Sequence, residues 1–197
     1  DVVRARYKPR VFEGRAVASW SCQAVLHAHP VLRCREIALP SPPDDEDRRA
    51  QLVQIDLQGR ALSLANVHLT HLGDAHGWRT RQLQAVLDAL DQWGPAALTV
   101  VCGDFNADLR DESLRGFLQR PDGLRDTFDL AGRPRANTFF DGPGAGRVLD
   151  HVLMVPGLTR AGVDVVSADT VLNADRPDAN GIAPSDHSGL LVAFRIS

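Results

Sequence analysis

The residues Gly-Asp-Phe-Asn at positions 103–106 carry side chains suited to phosphoryl or metal chemistry. They follow an apolar run at 98–101, which predicts a buried strand that ends at a carboxylate and a carboxamide. Ligand sites of layered α/β proteins often lie at such strand ends. Asp104 can bind a hard cation or accept a proton, and Asn106 can donate to a phosphoryl oxygen without adding negative charge.

The same construction recurs along the chain. Amide, acidic or imidazole groups stand in or beside other apolar strands at Asn66, His68, Asp150, Asp186 and His187. Such groups, gathered from distant segments, predict a metal-dependent hydrolase. Because carboxylates dominate and no thiolate takes part, the set favours Mg²⁺, with Mn²⁺ as the alternative, over a structural Zn²⁺.

The elements that must carry these groups follow from hydrophobic periodicity. Apolar runs predict strands at 15–20, 32–39, 52–57, 62–69, 97–102, 158–167 and 190–196. An apolar stripe at helical spacing predicts a helix over 76–93, which Gly94 and Pro95 end, and Asp111 opens a shorter helix.

Several polar residues have a structural interpretation and a functional alternative. The segment Ser-Pro-Pro-Asp-Asp-Glu-Asp at 41–47 suits a solvated hairpin loop, with cation binding as the alternative. Arg79, Arg81 and Arg147 are interpreted as exposed arginines, with phosphate contact as the alternative. His71 and His151 are interpreted as bystanders of the motifs beside them.

Four motifs, in order, resemble those of the endonuclease/exonuclease/phosphatase superfamily. They are Asn-Val-His-Leu at 66–69, Gly-Asp-Phe-Asn at 103–106, Leu-Asp-His-Val at 149–152 and Ser-Asp-His at 185–187. The segment at 12–19 is also similar to a Glu-Gly-hydrophobic-Ser segment of many bacterial members. The resemblance implies an α/β (α+β) fold: a DNase I-like four-layer sandwich of two packed mixed β-sheets flanked by helices. It also implies one domain over residues 1–197.

The N-terminal segment departs from the family pattern. The family opens with a strand that carries a metal-site Asn, followed by a helix and a strand that ends in Gln-Glu, and nothing before Glu13 fits these elements. The chain begins with Asp1 rather than Met. We therefore expect that the N-terminal portion of the domain, and the true N-terminus, are missing from this sequence.

The resemblance implies a metal site and a water-positioning pair. Asp186, Asp104 and Glu13 would contribute to the site that holds Mg²⁺ or Mn²⁺. Asp104 and Asn106 would position the attacking water and the phosphate.

The resemblance also assigns roles to two histidines. His187 would contact the scissile phosphate, and Asp150 would hold its ring in the useful tautomer. His68 would donate to a phosphate oxygen or to the leaving group.

Together these features predict a metal-dependent phosphohydrolase, foremost a phosphodiesterase, that acts on an unspecified phosphodiester, with a nucleic acid as the second choice. The alternative is a catalytically impaired or non-catalytic domain that uses the same fold as a binding scaffold, which the absent N-terminal ligands favour. A zinc hydrolase is a weaker alternative, because the close pair His27 and His29 lies in a turn-like segment.

Charge, hydropathy and cysteine content limit the classes of protein to which the chain can belong. The formal net charge of −3 gives no general basic field for a tight nucleic-acid binder. No apolar run reaches the roughly 18 residues of a membrane span, so we expect no integral membrane segment. Three cysteines without metal-like spacing favour a reducing, cytoplasmic compartment over a disulfide framework. We expect a monomer.

Overall fold

The computed structural model describes residues 8–12, 15–19, 23–45, 47–72, 75–142, 145–172 and 185–197. The strands, in chain order, are β1 (Lys8–Phe12), β2 (Arg15–Ser19), β3 (Val31–Ala38), β4 (Arg49–Leu57), β5 (Arg60–His68), β6 (Leu98–Asp104), β7 (Arg125–Asp126), β8 (Phe139–Gly142), β9 (Ala145–Arg147), β10 (Asp150–Met154), β11 (Val163–Val171) and β12 (Gly189–Ile196). The helices are α1 (His76–Asp91), α2 (Glu112–Leu118) and α3 (Thr127–Leu130).

A mixed six-stranded sheet, in the order β3-β4-β5-β6-β10-β7, organises the molecule. Its central strands β5 and β6 are parallel, and the other neighbours are antiparallel. Parallel neighbours need a crossover connection, which α1 supplies. Antiparallel pairs form between β1 and β2, β8 and β9, and β11 and β12. This arrangement of several sheets and few helices agrees with the predicted mixed α/β class.

One face of the six-stranded sheet packs against α1 and α2. The main hydrophobic cluster joins Leu83 and Val86 of α1 to Val67 of β5 and Val101 of β6. Neighbouring side chains of a strand point to opposite faces, so the even-numbered residues of β5 and β6 face away from the helices. Val100 is buried on that second face, outside the main cluster. Both faces of β6 are therefore covered up to the point where it ends at the site.

Several elements differ from the sequence predictions. The strand predicted at 158–167 begins at Val163, because a 3-10 turn at Pro156–Leu158 precedes it. Strand β7 and helix α3 have only two and four residues, which is too short for periodicity to reveal them. Within the described ranges, no helix combines the length and the apolarity needed to cross a membrane.

The cysteines of the described segments are free. Cys34 is exposed, whereas Cys102 lies in β6 on the face that carries the site. Burial raises the pKa of the Cys102 thiol to about 12, so this thiol stays protonated at neutral pH and offers no nucleophile. Cys22 lies outside the described residues.

Candidate active site

Strand register brings three predicted site residues into one row across the sheet. His68, at the end of β5, lies opposite Asp104, at the end of β6. Asp104 in turn lies opposite Asp150, the first residue of β10. Residues that pair directly across neighbouring strands share a face of the sheet. The row therefore stands on the face opposite the helices.

Gly103 allows the backbones of β5 and β6 to approach beside this row. Its φ is +127°, which L side chains rarely adopt, and a Cβ there would lie 2.1 Å from the carbonyl oxygen of Val67. The first residue of the Gly-Asp-Phe-Asn motif thus has a structural role, because it sets the approach that places His68 beside Asp104.

His187 reaches the row from the segment just before β12. Its Nδ1 donates to Oδ2 of Asp150 at 2.8 Å, and its Nε2 lies 4.0 Å from Oδ2 of Asp104. A carboxylate can only accept, so this hydrogen bond assigns the Nδ1 proton. The ring also lies against Phe139, with the ring centroids 4.9 Å apart. Two residues 37 positions apart are thereby joined in one unit.

Thr138 fixes both members of this unit, a role that sequence reasoning missed. Its buried hydroxyl accepts from the backbone N–H groups of Leu149 and Asp150, each at 3.0 Å. Its carbonyl accepts from the N–H of Ser188 at 2.7 Å. The available signal was the Thr-Phe pair at 138–139, which resembles a family segment but identifies no partner by itself.

Asn106 holds Asp104 in place. The Asn106 backbone N–H donates to Oδ1 of Asp104 at 2.8 Å, and its Nδ2 donates to Oδ2 at 3.3 Å. Nδ2 also donates to the carbonyl of Leu69 at 3.0 Å. Its φ of +49° is left-handed, a conformation that Asn tolerates. This arrangement gives Asn106 a positioning role, and its contact with phosphate stays a prediction.

His68 completes the group on the other side of Asp104. Its Nε2 lies 3.5 Å from Oδ2 of Asp104, the same oxygen that His187 approaches. The His68 side chain is 45% exposed, so it opens toward solvent. The Asp104 carboxylate consequently lies between two imidazoles.

The surroundings shift the pKa values of the two histidines in opposite directions. The hydrogen bond to Asp150 raises the pKa of His187. Burial lowers the pKa of His68, and the charge of Asp104 offsets this only in part. Burial also raises the pKa of Asp104 against the opposing effects of His68 and the Asn106 N–H. Titratable neighbours whose pKa values are driven apart are typical of acid–base sites.

These side chains line an open cleft of about 1050 Å³. Among the residues that the structure describes, five carboxylates and three guanidinium groups line the cleft: Asp104, Asp108, Asp111, Asp150 and Asp186, against Arg79, Arg110 and Arg147. A cleft with this excess of carboxylates disfavours an anionic substrate unless further positive charge is supplied.

The donors in the cleft suit a divalent metal in kind. Asp104 and Asp186 offer carboxylate oxygens, which Mg²⁺ and Mn²⁺ prefer, and Asp186 is exposed in the cleft wall. Within the described segments, no three His, Cys, Asp or Glu residues come together as a metal site. Glu13, the remaining predicted ligand, lies outside the described residues.

Two other residues have interior roles. His151 is buried, its Nε2 pairs with the carbonyl of Ala107 at 2.8 Å, and its ring packs edge-on against Phe105. This packing agrees with its interpretation as a bystander. The expectation of an exposed Arg79 was wrong: Arg79 is 3% exposed and donates to the carbonyl of Leu72 at 3.0 Å. Its position on the apolar stripe of α1 was the missed signal.

Sequence comparisons identify related proteins. The model of the Endonuclease/Exonuclease/phosphatase family matches residues 5–187. Tyrosyl-DNA phosphodiesterase 2 of Xenopus tropicalis is 26% identical over 168 residues, which are 80% of this chain and 44% of that protein. The chain thus spans less than half the length of this curated relative.

Solved structures share the fold. D. rerio TDP2 complexed with single strand DNA product matches with a TM-score of 0.73 and 20% identity, over 97% of this chain and 77% of that one. The human Nocturnin catalytic domain with bound sulfate anion matches with a TM-score of 0.69 and 20% identity, over 98% of this chain and 72% of that one. These matches confirm the DNase I-like architecture.

Proposed function

Because the chain belongs to the Endonuclease/Exonuclease/phosphatase family, we propose that it is a divalent-metal-dependent hydrolase of phosphodiester bonds. One observation carries this proposal: His68, Asp104 and Asp150 form a row in one cleft, and His187 is hydrogen-bonded to Asp150. Charged and imidazole groups at this spacing can contact a phosphate, an attacking water and a leaving oxygen together.

In this proposal, His187 is the positive group at the scissile phosphate. Its Nδ1 proton is committed to Asp150, which leaves Nε2–H free to donate to a phosphoryl oxygen. The same hydrogen bond raises the pKa of His187 and so favours the imidazolium. Asp150 is a positioning residue, because it acts through His187.

Asp104 positions the attacking water and accepts its proton. Asn106 fixes the Asp104 carboxylate through its backbone N–H and its side-chain amide, which keeps the carboxylate oxygens directed at one place in the cleft. His68, whose lowered pKa favours the neutral ring, donates a hydrogen bond to a phosphate oxygen or to the leaving group.

A divalent cation is part of the proposal. Asp104 and Asp186, together with Glu13, would hold it, and when bound it would neutralise charge on the phosphoryl oxygens. The excess of carboxylates over guanidinium groups in the described lining of the cleft supports this requirement, since a cation would offset the negative charge that a phosphodiester meets there.

The name of one relative indicates which phosphodiesters to test first. The Xenopus tropicalis relative is named for a tyrosyl-DNA phosphodiester, in which the leaving group is a phenol. A phenol has a pKa near 10 and leaves more readily than an alkyl alcohol. We therefore propose aryl phosphodiesters as the first substrates to test, and nucleic-acid strands as the second.

The test is hydrolysis across a panel, in Mg²⁺ and in EDTA. The panel holds bis(p-nitrophenyl) phosphate, an oligonucleotide joined to tyrosine, plasmid DNA, an abasic duplex, RNA and sphingomyelin. We expect turnover of at least one diester in Mg²⁺ and none in EDTA. Absence of metal-dependent turnover on the whole panel contradicts the proposal, and tight oligonucleotide binding without turnover would favour the scaffold alternative.

A further inference from the structure

The acidic loop predicted to be solvated turns one carboxylate inward. The Asp45 side chain is fully buried, and Arg48, itself 7% exposed, donates to both of its oxygens at 2.8–3.2 Å. The prediction of a wholly solvated loop at 41–47 was therefore wrong at Asp45. A buried ion pair of this kind fixes the direction of the guanidinium.

Arg48 in turn contacts the His71 ring at one nitrogen. Nη2 of Arg48 lies 2.6 Å from Nδ1 of His71. A guanidinium can only donate, so Nδ1 accepts and the ring proton lies on Nε2. Oδ1 of Asp45 is 3.7 Å from the same Nδ1, beyond hydrogen-bond distance. Nε2–H of His71 is therefore the donor that the ring presents, and the contact with Arg48 holds the ring through Nδ1.

Side chains of α1 form hydrogen bonds with the backbone of the segment that carries His71. Oε1 of the buried Gln82 accepts from the backbone N–H of Thr70 at 2.9 Å. The buried Arg79 donates to the carbonyls of Thr70 and Leu72, at 3.4 and 3.0 Å. The His71 side chain nevertheless remains 59% exposed and lines the cleft, three residues after His68. It is therefore a donor fixed in place before any ligand arrives.

We propose that His71 binds an oxyanion of the substrate that flanks the scissile phosphate, such as the next phosphate of a nucleic-acid strand. This inference rests on the proposed function and names a specificity contact of the same cleft. The Nε2–H group of His71 suits this task, because a ring N–H can donate a hydrogen bond to a phosphate oxygen.

The test compares two aryl esters that differ only in the flanking phosphates. One is the p-nitrophenyl ester of a mononucleotide, and the other is the same ester of a trinucleotide. For His71→Ala we expect the KM of the trinucleotide ester to rise about 10- to 100-fold, which is typical of a lost hydrogen bond to a charged group. The kcat on both esters, and the KM of the mononucleotide ester, should stay within about twofold.

Two variants separate donation from structure. His71→Gln keeps an N–H donor and should recover part of the lost affinity. His29→Ala is the matched control, because this exposed histidine does not line the cleft, and it should leave the KM and kcat for both esters unchanged. Circular dichroism verifies the fold of each variant.

The outcomes distinguish this inference from the proposed function. If the enzyme is active, three results overturn the His71 contact alone. The KM of His71→Ala for the trinucleotide ester is unchanged, its KM rises equally for both esters, or His71→Gln recovers none of the lost affinity. If neither ester is hydrolysed, the proposed function fails, and binding of a labelled trinucleotide in Mg²⁺ tests the contact by itself. Weaker binding by His71→Ala than by the unmodified protein then supports the contact although hydrolysis has failed. Equal binding by the two proteins, or no binding by either, overturns the contact as well.

Discussion

The Asp150–His187 hydrogen bond can be tested by a double-mutant cycle on the rate of hydrolysis. The perturbations are Asp150→Asn, which keeps the size of the side chain and removes its charge, and His187→Ala. The two groups meet at 2.8 Å, and their side chains are 18% and 27% exposed, so solvent screens them only in part. If Asp150 acts only through His187, the two residues form one unit.

The geometry sets the expected magnitudes. A hydrogen bond to a charged group contributes about 1.5–3 kcal/mol, so Asp150→Asn should lower kcat about 10- to 150-fold. Removing a phosphate-contacting acid should cost on the order of 10²–10⁴-fold in kcat. The double variant should be little worse than His187→Ala, because effects within one catalytic unit are not additive.

The assay is steady-state hydrolysis of an aryl phosphodiester in saturating Mg²⁺, with folding verified for each variant. Asp169→Asn is the matched control, because Asp169 also pairs at 2.8 Å with a cationic side chain, Arg133, in residues that do not line the cleft. Its rate should not change. If the losses of the two single variants multiply fully in the double variant, Asp150 and His187 work independently and the role of Asp150 is misassigned.

Three further predictions follow from the site. Because Asp150 raises the pKa of His187, activity that needs the imidazolium is lost as pH rises through that raised pKa. Asp150→Asn should therefore move the alkaline limb of the kcat/KM profile to lower pH. An alkaline limb that does not move would count against the role of Asp150. Gly103→Ala should lower the free energy of unfolding in urea by about 2–5 kcal/mol, through backbone strain and collision with Val67; a loss below about 1 kcal/mol would contradict the close approach. EDTA should abolish turnover, and both Mg²⁺ and Mn²⁺ should restore it; unchanged turnover in EDTA would refute metal dependence.

Local patterns in the sequence were enough to predict the strand ends that carry the site. The apolar run before Asp104 and the shared parity of Leu64, Asn66 and His68 predict the faces on which these groups lie. The register that pairs His68 with Asp104 and Asp104 with Asp150 then follows once the strands are neighbours. The order of strands in the sheet was not predicted, because periodicity does not say which strands pair.

Long-range partners were beyond the sequence. No pattern says that the guanidinium of Arg48, which pairs with Asp45 in its own loop, also reaches His71, since that contact depends on how two segments meet. The same holds for Thr138, because its hydroxyl accepts a hydrogen bond from the first residue of β10, which is twelve positions further along the chain. Arg79 shows the reverse: its place on the apolar stripe of α1 was visible, but the carbonyls that accept from it were not.

We propose that metal-dependent hydrolysis of a phosphodiester by this protein requires the carboxylate of Asp104. The most direct measurement is turnover of bis(p-nitrophenyl) phosphate in Mg²⁺ by the unmodified protein and by Asp104→Asn, with Asp164→Asn, an exposed aspartate of β11, as the control. We expect turnover by the unmodified protein and the control, and a loss on the order of 10²–10⁴-fold in folded Asp104→Asn. An inactive unmodified protein, or an Asp104→Asn variant as active as its parent, would contradict the claim.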